Sequence, residues 1–162
     1  MLLNLNDISG KTGAKKDFSF TLDFSALDFP QIETFSAPAT VSGTVSNIAG
    51  TLTVTGVLSV SLIAICDRCA LCSPLDITLP VTAHLAESLS DESNFELYLL
   101  SNGAVDLEEI FTTSFLLSLE SKTVCNDDCK GLCFQCGINL NEEDCNCAPD
   151  IDPRLAALGQ LL

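Results

Sequence analysis

The chain has 162 residues, the size of one ordinary domain or of a domain with a small appendage. Apolar residues make up 47% and charged residues 18% of the sequence, a composition that excludes an intrinsically disordered protein. Because 22 acidic residues outweigh 7 basic ones, for a net charge of -15, tight non-specific binding to nucleic acid or to an anionic membrane is disfavoured.

The first half of the chain alternates apolar and polar side chains, as strands do. Over residues 17–24 every second residue is apolar, which predicts a strand with one buried face. Residues 40–46 repeat the alternation, and residues 47–50 then predict a turn. The longest predicted strand spans residues 51–65, and Gly56 within it predicts a bend or a bulge.

Two further strands complete the predicted sheet. Residues 75–85 alternate again, and Pro80 on the other face favours an edge position. Residues 95–100 add a short strand. We therefore predict an α+β, mainly β fold, in which an antiparallel sheet forms a barrel or a sandwich-like layer.

The pattern changes to a helical period over residues 106–122. Asp106 is the predicted cap, and Glu109 follows three residues later as in a capping box. The apolar stripe of this helix comprises Leu107, Ile110, Phe111 and Leu117. A short terminal helix is predicted to begin at Asp152, with Pro153 at its first helical position.

Composition divides the chain into two parts. Residues 1–100 form the β-rich barrel or sandwich, and residues 101–162 hold the helix and a cysteine-rich segment packed on it, in one cooperative unit. The amino terminus lacks the pattern of a secretory signal, and no apolar stretch approaches the roughly 20 residues of a membrane span. We therefore expect a cytoplasmic protein, whose cysteines bind metal rather than form disulfides.

Eight of the nine cysteines fall into four closely spaced pairs, and Cys72 stands apart. Two residues between thiols allow both sulfurs to bind one metal ion about 2.3 Å away. Four pairs predict two four-thiolate sites with two structural zinc ions; disulfides, free buried thiols or an iron–sulfur cluster are the alternatives. The spacing leaves open which pair joins which. The pairs are Cys66 with Cys69, Cys125 with Cys129, Cys133 with Cys136, and Cys145 with Cys147.

Few residues are suited to catalysis. His84 is the single histidine and lies on the polar face of a predicted strand, where an ordinary surface role is expected. No spacing suggests a nucleophile beside a base, and the adjacent carboxylates of residues 142–144 are typical of a solvated loop. We therefore expect a protein that is not an enzyme and that has no small-molecule substrate.

Three motifs resemble those of the bacterial YceD family: C-D-R-C at 66–69, C-K-G-L-C-F-Q-C-G-I-N-L-N at 129–141 and D-P-R-L at 152–155. Phe134 and residues 120–121 depart from the family pattern, which commonly has a proline at each place. The resemblance implies a factor in the accumulation of large-subunit ribosomal RNA. It also implies a first metal site of Cys66, Cys69, Cys125 and Cys129 and a second of Cys133, Cys136, Cys145 and Cys147.

Three basic residues lie inside these motifs and are the candidates for contact with RNA or with a partner: Arg68, Lys130 and Arg154. An arginine fork binds a phosphate or a carboxylate with two hydrogen bonds, so an ion pair within the fold is the alternative. Two functions stay open. One is a zinc-stabilised factor that contacts a large-subunit rRNA precursor. The other is an acidic adaptor for a basic ribosomal protein, which the net charge favours.

Overall fold

Eight strands and two helices follow one another in the described part of the chain, residues 1–86, 97–120 and 122–147 of a computed structural model. The predicted terminal helix from Asp152, and Arg154 with it, lies outside these residues. The fold is mainly β, as predicted. The elements are β1 (Leu2–Asn4), α1 (Asn6–Ser9), β2 (Lys15–Leu22), β3 (Ile32–Phe35), β4 (Ala39–Ile48), β5 (Thr51–Ile65), β6 (Cys72–Ala86), β7 (Leu97–Leu99), β8 (Ala104–Asp106) and α2 (Leu107–Ser118).

Six strands form one sheet in the order β2-β4-β5-β6-β7, with β3 paired to β5 beyond the end of β4. Within the described residues β2 and β7 do not pair, so the sheet is open and the predicted barrel is not formed. The structure fits the predicted alternative, a sandwich-like layer. Helix α2 packs on the apolar face of the sheet, which would have been the interior of a barrel. β1 and β8 form a separate two-stranded sheet.

One pairing differs from the predicted antiparallel sheet. β7 runs parallel to β6, with Leu97 opposite His84 and Leu99 opposite Ala86. Since residues 87–96 separate the two strands, no tight hairpin sets their relative direction. The other strands of the large sheet pair antiparallel, as the alternating sequence predicts.

Alternation sets which side of each strand is buried. In β2, Phe18 and Leu22 are buried and Asp17 is exposed. β5 coincides with the longest predicted strand over its whole length. β7 pairs with β6 only from His84 to Ala86, so Pro80 lies on a stretch of β6 whose outer edge has no described partner. The edge position predicted for this proline is confirmed.

Gly56 does not interrupt β5, so the predicted bulge is wrong. The pairing continues through it, with Gly43 on one side and Val81 on the other. A Cβ added to Gly56 would lie 2.9 Å from Cζ of Phe111 and 2.8 Å from the carbonyl oxygen of Ser42. The glycine is therefore needed for the close approach of helix and neighbouring strand, not for a break in the ladder.

Helix α2 presents a different stripe from the predicted one. Leu107, Ile110 and Phe111 are buried as expected, but Leu117 is 82% exposed and Phe115 is buried instead. Positions three, four and eight residues apart share a helical face, which places Phe115 rather than Leu117 with Leu107. Asp106 caps the helix as predicted.

The cap and the aromatic contacts fasten α2 to the sheet. The Asp106 side chain accepts a hydrogen bond from the Glu108 N–H at 3.1 Å. The ring of Phe115 stacks on Phe24 with centroids 4.7 Å apart. The helix ends at Ser118, short of the predicted residue 122, and the cysteine-rich segment begins shortly after it.

Candidate metal centres

Four thiols from two distant segments meet at the β5–β6 turn. Cys66 and Cys69 lie in that turn, while Cys125 and Cys129 come from the segment after α2. The sulfurs of Cys66 and Cys129 are 3.9 Å apart, and those of Cys69 and Cys125 are 3.7 Å apart. A tetrahedral ion with four bonds of about 2.3 Å places its sulfurs about 3.8 Å apart, so this first cluster fits one ion.

Asp67 fastens the two segments of the first cluster together. Its N–H donates to the Thr123 carbonyl at 2.8 Å, and its carboxylate accepts from the Thr123 N–H at 2.6 Å. These two bonds align the segment after α2 against the β5–β6 turn. They therefore help to bring the sulfurs of both segments together.

Arg68 acts as a brace within the first cluster. Its Nη1 donates to the carbonyl oxygens of Asp127 at 3.1 Å and Cys129 at 3.0 Å, and its own carbonyl accepts from the Leu132 N–H at 3.0 Å. Arg68 is thus a structural residue, as one reading of the sequence expects, but its acceptors are main-chain carbonyls and not a carboxylate. No carboxylate of the described residues pairs with Arg68.

The second cluster is local and more exposed. Its four sulfurs, from Cys133, Cys136, Cys145 and Cys147, lie within 4.8 Å of one another, and Cys136 and Cys147 are exposed. Gly137, at a φ of 74°, closes the turn by donating from its N–H to the Cys133 carbonyl at 2.9 Å. The two sets of four are those that the family resemblance implies. All nine cysteines are free thiols, without disulfides.

Asn141 connects the two clusters. Its Nδ2 lies 3.4 Å from the sulfur of Cys129, and its Oδ1 accepts from the Lys130 N–H at 2.8 Å. Asn139 orients it by accepting from its N–H and from its Nδ2. These roles were not predicted from the sequence, although asparagine side chains often bond to nearby backbone in turns.

The fold stabilises a thiolate at Cys66. Burial opposes its ionisation, but N–H groups of Cys69, Cys125 and Arg68 donate to the sulfur and lower the pKa of Cys66 to about 6. The pKa of Cys125 is raised to about 12, because its thiol donates to the sulfur of Cys129 and is partly desolvated. The first cluster therefore combines thiolates with thiols that retain their protons.

The second cluster repeats this division. N–H groups of Cys136 and Gln135 donate to Cys133 and lower its pKa to about 6. The pKa of Cys147 is raised to about 12, mainly because its thiol bonds to the sulfur of Cys136. Metal ions bind thiolates, so both clusters are prepared to accept an ion and to release protons in exchange.

The remaining candidates lie apart from the sulfurs. Lys130 is exposed next to Cys129, whereas Arg154 lies outside the described residues. Cys72 is exposed and belongs to neither cluster, as predicted. His84 lies on β6 with its Nδ1 3.2 Å from the Thr53 hydroxyl oxygen.

None of the helices in the described ranges combines the length and apolarity that crossing a membrane requires.

Comparison with known proteins tests the family resemblance. Residues 54–162 match the family model described as Large ribosomal RNA subunit accumulation protein YceD. Uncharacterized proteins from Mycobacterium bovis and Mycobacterium tuberculosis are 31% identical over 124 residues, which covers 73% of this chain and 59% of each relative. No solved structure matches. Because the family model covers more than half of the chain and both cysteine clusters, the chain belongs to the YceD family.

Proposed function

We propose that this chain is a zinc-stabilised, non-enzymatic factor that binds a large-subunit rRNA precursor in the cytoplasm and supports its accumulation during ribosome biogenesis. The family match over residues 54–162 carries the proposal, because it contains both four-cysteine clusters. The family description names an RNA that accumulates and no reaction. The chain spans about three-fifths of the length of its mycobacterial relatives, 59%, so the proposed function is that of this chain and not of the longer relatives.

Zinc is the ion that the donor sets favour. Four thiolates in a tetrahedron are typical of structural zinc, and sulfur separations of 3.7 and 3.9 Å fit four bonds of about 2.3 Å. Four protein ligands fill the coordination sphere, so no position remains for water or substrate. We infer one zinc ion per cluster, each acting as a cross-link.

Elemental analysis tests the metal assignment. Protein purified under reducing conditions should contain two zinc ions per chain, and Cys66→Ser should contain one. Cys72→Ser is the matched control, because its thiol is exposed and outside both clusters, and it should retain both ions. Iron with sulfide, or reduced protein without zinc, would contradict the assignment.

Depletion and sedimentation test the ribosomal role. In a sucrose gradient the chain should migrate with precursors of the large subunit, and its depletion should lower large-subunit rRNA relative to small-subunit rRNA. The role is excluded if the chain sediments alone and depletion leaves the ratio of the two rRNAs unchanged. Neither measurement depends on which surface of the chain contacts the particle.

The net charge of -15 favours a second candidate, an adaptor that holds a basic ribosomal protein and does not touch RNA. The salt dependence of binding separates the two candidates. Direct contact with RNA gives a slope of log K against log salt set by the number of phosphates neutralised. The adaptor is favoured instead if the chain binds purified basic ribosomal proteins and no large-subunit rRNA.

A further inference from the structure

A groove beside the two clusters combines positive charge with an exposed aromatic ring. It has a volume of about 490 Å³, in the range of ligand-binding pockets, and opens to solvent. The side chains that give it its chemical character are Asp67, Arg68, Lys130, Leu132 and Phe134. The groove therefore joins the β5–β6 turn to the turn of the second cluster.

The aromatic ring belongs to Phe134, the most exposed large apolar side chain in the described part of the chain. It lies in the turn between Cys133 and Cys136, which backbone hydrogen bonds already close. None of the described aromatic rings packs against it. Because the turn is closed by backbone hydrogen bonds, the backbone that carries the ring is ordered before a partner arrives, which lowers the entropy cost of binding.

The positive charge belongs to Arg68 and Lys130, neither of which pairs with a carboxylate of the described residues. The one acidic side chain in the groove, Asp67, already accepts the Thr123 N–H at 2.6 Å. Asp67 is thus the one carboxylate beside the two cations, while the sulfurs of Cys129 and Cys133, which also line the groove, belong to the two clusters. Arg68 and Lys130 place two positive side chains together on a chain whose net charge is -15.

We propose that this groove binds an unpaired nucleotide of RNA, with the base stacked on Phe134 and the phosphate next to Arg68 and Lys130. The proposal rests on the proposed function, for which it names the contact surface. Stacking on an exposed aromatic side chain is how single-stranded RNA is held, and a duplex hides its base faces. One nucleotide supplies both a flat apolar face and an anion, the two features that the groove complements.

The charge distribution also separates RNA from a protein partner. A basic ribosomal protein would be attracted to the acidic remainder of the surface and repelled by the Arg68 and Lys130 side chains, whereas a phosphate is attracted to these two side chains. The strong overall negative charge weakens long-range attraction of RNA. Binding should therefore be local, limited to a few nucleotides, and weak for a long featureless strand.

Substitution of Phe134 tests the stacking contact. Fluorescence anisotropy with a labelled single-stranded oligouridine of about eight nucleotides should show that Phe134→Ala loses about fivefold or more in affinity. Phe134→Trp should keep or improve the affinity. Leu117→Ala is the matched control, since it removes another exposed apolar side chain, on α2, and should bind like the wild type. All variants should retain their zinc.

Substitution of Lys130 tests the phosphate contact. Its backbone is held by Asn141 through the N–H, so Lys130→Ala removes the charge without removing that bond. The slope of log K against log salt should fall by about 0.7, the value for one phosphate of a single strand. Lys15→Ala, which removes the same charge on β2 outside the groove, should leave the slope unchanged.

Several results would overturn the nucleotide site. They are failure of the wild type to bind the single strand, equal affinity for the matching duplex, or unchanged affinity in Phe134→Ala. A Lys130→Ala variant that loses zinc but keeps its salt slope would show that the lysine only balances the thiolates. If the Phe134→Ala variant no longer sediments with ribosomal particles yet binds oligouridine normally, the groove contacts a protein and not RNA. The proposed function fails separately, through sedimentation and depletion of the wild type.

Discussion

Two side chains that carry no thiol position Cys129 within the first cluster. Asn141 bonds to the sulfur of Cys129, and Arg68 bonds to the carbonyl of the same residue. Groups that hold metal ligands in this way set the orientation and basicity of the ligating atom. Asn141 lies in the loop of the second cluster, so its bond to Cys129 connects that loop to the first cluster.

Replacing Asn141 should weaken the first metal centre. Asn141→Asp keeps an acceptor for the Lys130 N–H but loses the donor to Cys129, and we expect zinc affinity of the first cluster to fall about 10- to 100-fold. Competition with a chromophoric chelator measures the change. Asn4→Ala, in β1 away from the cysteines, serves as the control. Unchanged affinity in Asn141→Asp would rule out this role.

Zinc binding should release protons near neutral pH. In the metal-free clusters the pKa values of Cys125 and Cys147 are about 12, and those of Cys69 and Cys145 are raised above their ordinary 9.0. Each ion must therefore displace at least two protons, and affinity should increase with pH through the neutral range.

Calorimetry in buffers of different ionisation enthalpy counts the protons released on zinc binding. Cys66 does not add to the number of protons released, because its pKa is lowered to about 6 from an unfolded value near 9.0. Its thiolate needs no deprotonation above about pH 6. Its contribution to stability is complete above the unfolded pKa near 9.0 and is lost as the pH falls from there through the folded pKa of about 6. The proton count is refuted if zinc affinity is the same at about pH 6 and pH 8.

At the scale of elements, the contact between α2 and the sheet depends on a glycine in β5, which has no side chain. Gly56 of β5 and Gly43 of β4 are paired, and the ring of Phe111 lies over Gly56. Phe18 from β2 packs on Phe111 with centroids 5.8 Å apart. Helix and strand approach closely at this place because no Cβ separates them.

Gly56→Ala should destabilise the protein by about 1–3 kcal/mol, since the added methyl group overpacks a rigid contact. The ring of Phe111 and the carbonyl of Ser42 would both have to move. Gly10→Ala is the control, because a Cβ there meets no atom within 4 Å. Urea unfolding of the zinc-loaded protein measures both. If Gly56→Ala unfolds with the wild-type free energy, the close contact is not rigid.

At the scale of the whole molecule, the two clusters differ in the length of chain that they join. The first connects the β5–β6 turn to the segment after α2, and three of its four cysteines are buried. The second closes a local loop from Cys133 to Cys147 and is partly exposed. Loss of the first should therefore disturb the tertiary arrangement, and loss of the second should not.

Serine substitutions should separate these two effects. Cys66→Ser should lose one ion and release residues 123–147 from the β5–β6 turn, whereas Cys133→Ser should lose one ion and loosen only residues 130–147. Limited proteolysis followed by mass spectrometry locates the new cleavage sites. A chelator should remove the second ion first, because its sulfurs are more exposed. Identical cleavage patterns for the two variants would contradict this division.

Much of the fold could be read from local patterns. The alternation in β2 and β4 predicted their buried faces, and Asp106 predicted the start of α2. Leu117 was assigned to the wrong helical face, an error that the spacing from Leu107 explains. Gly56 was misread because its role depends on the ring of Phe111 that α2 brings against it. The division of residues 1–100 and 101–162 into two parts of one unit stays a prediction.

The sequence by itself determined five of the eight strands and the four cysteine pairs, since these follow from spacing along the chain. The short strands β1, β3 and β8 were not predicted. Spacing left the grouping of the pairs open; the family resemblance implied it, and the tertiary structure brings the same two sets together. The fold alone decided that the sheet stays open and that Arg68 braces carbonyls next to Phe134. These features depend on which distant segments pack together, and packing is a property of the whole chain rather than of a local pattern.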